Sequence, residues 1–294
     1  MASWEGKSRG IVLGYRIFVW VIKHLGLDFA YFLLLFVTAY FVFASKKAFG
    51  SMFYFFHVRL KQSRIKSFLS IYRNYYLLGQ SLIDKTAVLA GLKAKFEFVL
   101  EGKETLLNMK DGGILISGHI GNWEVGGKAL DFLDKKINLV VLDEEGTAIK
   151  EYISEILVDR NVHFIKIGND YSHLFKIKEA LENKELVSFL GDRFLDGNQT
   201  VKIDFLGKSA HFPLGPWHMA SYFKVPVSYV FAVKESHKKY RFYATPLKFV
   251  PTGINPKERS LEVVGSVKEY VAELEMITRK YPLQWHNYYD FWMD

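Results

Sequence analysis

His119 and Glu124 stand five positions apart in SGHIGNWEVGG (117–127), just past an apolar run and among four glycines. On one continuous helix, residues five apart face roughly 140° apart, so the two side chains cannot converge that way. With His119 in a glycine-flanked turn and Glu124 in the first turn of a following helix, they can meet. Gly118 and Gly121 permit the bend, and Asn122 is the expected N-cap. A neutral imidazole oriented by a carboxylate is a general base for a hydroxyl. Ser117 lies too close in sequence to His119 to be its nucleophile and lacks the G-x-S-x-G setting of a hydrolase elbow. The attacking hydroxyl is therefore expected on a substrate, and the chemistry is acyl transfer from an activated donor to an alcohol.

Two other readings of the same residues stand beside this one. His119, Glu124, His211 and His218 are residue types that could hold zinc for a hydrolase. However, no His-Glu-x-x-His helix is present, and His211 and His218 are separated by Pro213 and Pro216. A non-catalytic lipid-binding protein would also use the many Phe and Tyr side chains, 25 and 17 of them, to hold acyl tails. The absence of cysteine excludes a disulfide framework, a thiol nucleophile and a thiolate metal site.

The elements around His119 alternate in period. KFEFVLEG (95–102), GGILISG (112–118), INLVVL (137–142), VHFIKI (162–167) and ELVSFLG (185–191) read as strands. Between them, NWEVGGKALDFLDKK, AIKEYISEILVDR and YSHLFKIKEALENK have helical spacing. This order predicts an α/β fold, a sheet flanked by helices, with ligands outside the carboxyl ends of the strands. His119 falls at such an end. PVSYVFAV and KYRFYATPL predict a hairpin, followed by a helix in SVKEYVAELEMITRKY, and residues 66–92 read as one or two amphipathic helices.

The chain divides by composition into an apolar, helical segment over 1–65 and a mixed-composition catalytic domain over 66–294. Phe29 to Ser45 holds no charged residue, yet at 17 residues it is at the short end for a bilayer span. Basic residues flank it on both sides, and the net charge of +8 suits an anionic membrane surface. The expectation is a membrane-anchoring or interfacial segment. No nucleic-acid-binding signature is present.

HIGNWE after an apolar strand resembles the His-x-x-x-x-Glu motif of the lipid A acyltransferase family, the late lauroyl and myristoyl transferases and their relatives. FLGDRFLDG (189–197), FLGKSAHFPLGPWHMASYFKVPV (205–227) and YPLQWHNYYDFW (281–292) resemble further family segments in the same order. The tail is similar to members associated with aryl polyene and flexirubin-type pigments. The resemblance implies a glycerolipid-acyltransferase-like fold at the cytoplasmic face of the inner membrane. It also implies acyl carrier protein or coenzyme A thioesters as donors, a lipid or amphiphilic hydroxyl acceptor, and no metal or other cofactor. Carried onto this chain, it makes His119 the base, Glu124 its motif carboxylate, Asp192 and Arg193 part of a second active-site segment, and Arg160 an arginine near the reacting carbonyl. Asn122, Trp123, Gly215 and Pro216 are the expected substrate-contacting positions.

Overall fold

The computed structural model describes residues 12–44, 46–89, 91, 96–142, 162–168, 172–195, 197–252 and 255–292. The expected helix over 148–160, and Arg160 with it, lies outside the described residues.

The central sheet runs β1 (Glu97–Glu101), β9 (Lys239–Ala244), β8 (Pro226–Ser236), β2 (Gly113–Ser117), β5 (Leu186–Leu190), β3 (Ile137–Leu142), β4 (Val162–Ile167). All of these neighbours pair in parallel except the β8–β9 hairpin. A short β10 (Lys248–Phe249) adds antiparallel to β8. β2 is buried at all five positions, as a strand covered on both faces must be. Ile114 and Ile116 face one core with Phe189, Trp217 and Tyr270, whereas Leu115 faces the other with Leu130, Leu139 and Phe242. This is the two-residue alternation of a strand between two layers.

Helix α4 (Arg64–Leu89) is a single helix, and α5 is Lys103–Leu107. α6 (Trp123–Ala129) follows β2, α7 (Ser172–Glu182) connects β4 to β5, and α8 (Gly215–Phe223) precedes β8. α9 (Pro256–Lys280) starts ten residues before the expected SVKEY stretch, because Asn255 caps it by accepting the Glu258 amide N–H at 3.0 Å. The periodicity reading omits the antiparallel hairpin β6 (Thr200–Phe205) and β7 (Lys208–Pro213). Its turn is Leu206–Gly207, with both φ angles positive, at 53° and 78°.

The apolar amino-terminal segment forms α1 (Val12–Leu25), α2 (Leu27–Ala44) and α3 (Lys46–Phe53), continued by a π-helix over Tyr54–Arg59. No single described helix is long and apolar enough to cross a membrane, although Leu27–Val42 and Lys46–Arg59 together pass the length and composition test as a pair bent by 93°. α2 buries Leu27, Ala30, Tyr31, Leu34, Thr38 and Val42, a helical stripe. Gly79 on α4 lets Leu34 approach, since a Cβ there would lie 2.5 Å from its Cδ1. Beneath that contact, Asp84 of α4 accepts hydrogen bonds from Tyr31, Lys234 and Tyr240, tying α2 and α4 to β8 and β9. Asp84 and Lys234 are both buried, and each compensates the charge the other brings out of water. Met52, Phe55 and Phe56, by contrast, are embedded in the main core with Trp285 and Phe205.

Candidate active site

Ser117 of β2 pairs in register with Leu190 of β5, so the two strands end side by side. His119 and Asp192 each stand two residues beyond those ends, which brings them together from positions 73 apart. The Gly191 amide N–H donates to the Ser117 carbonyl at 2.7 Å and closes the gap between the chains. Gly118 and Gly191 make this close approach possible. A Cβ on Gly118 would sit 2.9 Å from Leu274, and one on Gly191 2.8 Å from Ile116.

The imidazole Nδ1 of His119 lies 2.7 Å from Asp192 Oδ1, and the His119 amide N–H donates to Oδ2 at 2.9 Å. Both carboxylate oxygens of a residue only 1% exposed are thus used on one histidine. Burial works to raise the Asp192 carboxyl, but the charge and hydrogen bond of His119, with Arg193 beside it, outweigh burial and hold it below its usual value. The His119 side chain is one-fifth exposed, so the dyad is anchored on a buried carboxylate and opens toward the surface through the ring.

Three further elements strap the turn. On one side, Gly121 donates to the Gln284 carbonyl (2.9 Å) and the His119 carbonyl accepts from the His286 amide (2.8 Å). On the other, Asn122 donates to the Ala232 carbonyl at 2.7 Å. Gly121 has φ 70°, and a Cβ there would lie 1.9 Å from that same carbonyl oxygen, so no larger residue fits. Gln284 reaches across and makes two hydrogen bonds of 2.8 Å with the Lys234 backbone. From below, the Tyr270 hydroxyl donates to the Ser117 carbonyl at 2.8 Å.

The spacing of HIGNWE points to Glu124 as the imidazole's partner. Glu124 lies in the first turn of α6, as expected, while its side chain is outside the described residues. The carboxylate that the structure places on Nδ1 is that of Asp192. Asn122 is buried and caps α6, its Oδ1 accepting the Val125 amide at 3.2 Å while its Nδ2 donates to the Ser81 carbonyl at 2.9 Å. Trp123 lines a cavity of about 20 Å³ beneath α6, with Leu115, Ser117 and Gly126, room for about one water. Gly215 and Pro216 open α8, where the next residue, Trp217, is fully buried against Tyr270 behind the Asp192 turn.

Arg193 donates from Nη2 to the His286 carbonyl at 2.6 Å and lies 5.4 Å from the centre of the Tyr289 ring. His286 itself is buried, its Nε2 has no hydrogen-bond partner, and burial, then Arg193 and His119, push it down to about 3. It is a neutral side chain within the strap. Sequence reasoning did not assign Gln284, His286 or Tyr270 to the site. The first two stand in the QWH tail segment, a usable signal, whereas Tyr270 is indistinguishable from any core aromatic on α9. Of the histidines weighed as zinc ligands, His211 pairs with Thr200 Oγ1 at 3.0 Å across the β6–β7 hairpin and His218 lies on α8. Among the described residues no group of three or more potential ligands forms a metal site.

A histidine oriented by a buried carboxylate at the carboxyl ends of parallel strands belongs to α/β proteins that do acid–base chemistry in a strand-end crevice. The sequence profile of the bacterial lipid A biosynthesis acyltransferases matches residues 66–286, and the chain belongs to that family. It is an acyltransferase that acts on a lipid. Among solved structures it is similar to the 1-acyl-sn-glycerophosphate (LPA) acyltransferase PlsC from Thermotoga maritima, with 18% identity and a TM-score of 0.39, over 84% of this chain and 97% of that one. A comparison with curated proteins finds no match.

Proposed function

We propose that the protein transfers a fatty or polyene acyl group from an acyl carrier protein or coenzyme A thioester to a hydroxyl of a lipid or amphiphilic acceptor, with His119 as general base. The observation that carries this reading is the Nδ1–Asp192 hydrogen bond of 2.7 Å. It fixes the tautomer, assigns the proton-accepting role to Nε2 and stabilises the imidazolium that forms. The acceptor hydroxyl gives its proton to Nε2 as its oxygen attacks the thioester carbon. Negative charge collects on the former carbonyl oxygen, then the carbon–sulfur bond breaks and the thiolate leaves, taking up the proton from the imidazolium. A guanidinium at the developing oxyanion contributes about 3–4 kcal/mol, and Arg193, adjacent to the dyad, and Arg160 are the side chains proposed for it.

The reaction is proposed to run at the cytoplasmic face of the inner membrane. What supports this is the outer face of α1 and α2, where Trp20, Phe32, Phe36 and Tyr40 are 51–68% exposed. Lys46, Lys47, Arg64 and Lys66 lie nearby in sequence. Large apolar side chains left exposed together on a helix pair support a surface that meets another apolar phase.

The test supplies purified protein, wild type and His119→Ala, with acyl carrier protein and coenzyme A thioesters plus a total lipid extract, and follows products by mass spectrometry. A lipid that gains one acyl chain only with the intact histidine is the expected result. An active His119→Ala enzyme would sink the proposed base.

A further inference from the structure

Beyond α9 the chain runs through one 3-10 turn (Pro282–Gln284), and residues 286–288 belong to neither helix nor strand. Within this irregular stretch, the backbone of His286 joins the two groups proposed to act on the substrate. Its amide N–H donates to the His119 carbonyl at 2.8 Å, and its carbonyl accepts from Arg193 Nη2 at 2.6 Å. One residue thus links the histidine to the arginine. A segment without regular structure has no ladder of its own to hold such a residue, so its buried backbone groups need partners elsewhere. Asn74 of α4 supplies them. It is fully buried, its Nδ2 donates to the Leu283 and Trp285 carbonyls, both at 3.0 Å, and its Oδ1 accepts from the Tyr288 hydroxyl at 2.6 Å. Both amide protons are therefore spent on the tail, on partners 209 and 211 residues away.

These bonds bracket His286, at Leu283 and Trp285 before it and Tyr288 after it. Its ring joins the same network. The Tyr288 hydroxyl gives its one proton to Asn74, so in the longer contact of 3.4 Å the His286 Nδ1–H donates to that hydroxyl oxygen. Farther along the same face of α4, the Ser81 carbonyl accepts from Asn122 Nδ2 at 2.9 Å. α4 therefore grips the His119 turn twice, once through Asn122 and once through the tail. The Trp285 ring packs on Phe55 and Phe205 and fixes where the tail enters the core, but apolar contact is non-directional and does not orient backbone carbonyls. We infer that Asn74 is a positioning residue for the reaction: through Leu283, Trp285 and Tyr288 it holds His286 where that residue's backbone fixes His119 relative to Arg193. The consequence for turnover rests on the acyl-transfer reading above, and the placement of His119 does not.

The test compares the full-length wild type with Asn74→Asp by two measurements. One is steady-state kinetics with acyl carrier protein and coenzyme A thioesters plus the total lipid extract. The other is proton NMR of the His119 Nδ1–H, assigned by its absence in His119→Ala. An ionised carboxylate only accepts, so Asn74→Asp keeps the side chain's size and loses both donors. Turnover should fall about 100-fold, as for a reacting group displaced by about 1 Å, with donor KM unchanged. The Nδ1–H resonance should broaden or vanish, because a displaced ring no longer shields that proton from exchange with water. Tyr288→Phe removes one of the three bonds, keeps the ring stacked on Tyr75, and should lower turnover about tenfold. It decides the matter on the same two readouts if Asn74→Asp does not fold. A wild-type resonance in the folded variant overturns the inference, whatever the turnover. Loss of the resonance with turnover at the wild-type level supports the placement and overturns His119 as the base instead.

Discussion

Asp192→Asn keeps the side chain's shape and removes the charge from the His119 bond. An amide there can donate to Nδ1 and select the wrong tautomer, so turnover should fall by about 10³–10⁴-fold with little change in donor KM, as measured by steady-state kinetics. The acid sensitivity of the fold also belongs to single residues. His286 has its folded value depressed from 6.5 to about 3, so its unfolded form takes up a proton in that interval while the folded form does not. Its contribution is intact above 6.5 and is lost as pH falls toward 3, by roughly 1.4 kcal/mol per pH unit. Asp192, also depressed, acts in the same direction, being lost as pH falls through its lowered folded value. Urea midpoints measured between pH 7 and 4 should therefore drop steeply for the wild type and less steeply for His286→Gln. An identical slope in the two proteins would remove His286 from the account.

The turn that carries His119 keeps its shape because four elements hold it: β5 through Gly191, β8 through Ala232, α9 through Tyr270 and the tail through Gln284 and His286. Gln284→Ala should cost about 2–4 kcal/mol, since it leaves two buried Lys234 backbone groups unpaired. It should also lower turnover by loosening the strap, and denaturation and kinetics on the same sample would separate the two effects. At this scale the sequence was partly legible. The strand ending at Ser117, the glycine-flanked turn and the Asn122 cap could be read from local residue types. TVKIDF alternates polar and apolar residues as a half-buried strand does, so β6 was legible by period although the periodicity reading omits it. The tail's role as a strap was not legible, since its bonds to the turn span more than 160 residues of sequence.

Among the described residues, α1 and α2 leave Trp20, Phe32, Phe36 and Tyr40 exposed to their surroundings. If α1 and α2 lie in a lipid interface, each exposed ring on α2 contributes roughly 1 kcal/mol. The triple change Phe32→Ser, Phe36→Ser, Tyr40→Ser should then lower partition onto anionic vesicles by about 100-fold while leaving the thermal midpoint near its wild-type value. Unchanged co-sedimentation would move the contact to another surface. The stripe of α2 that faces α4 is a different matter, because Tyr31 reaches the buried Asp84–Lys234 pair. Breaking that pair with Asp84→Ala should cost about 3–5 kcal/mol, measured by urea denaturation.

Sequence alone determined the alternation of strands and helices, the strand-end position of His119, the helical nature of the apolar segment and the family-like motifs, because each depends on residues near one another along the chain. It pointed to Asp192 only through resemblance. Which carboxylate sits on Nδ1 was decided by the parallel register of β2 with β5, a contact between segments 73 residues apart that no local spacing encodes. The tertiary structure likewise decided which stripe of α2 is core and which is surface. A helix apolar all round carries no mark of which side meets α4, and packing against Gly79 and Asp84 makes that choice.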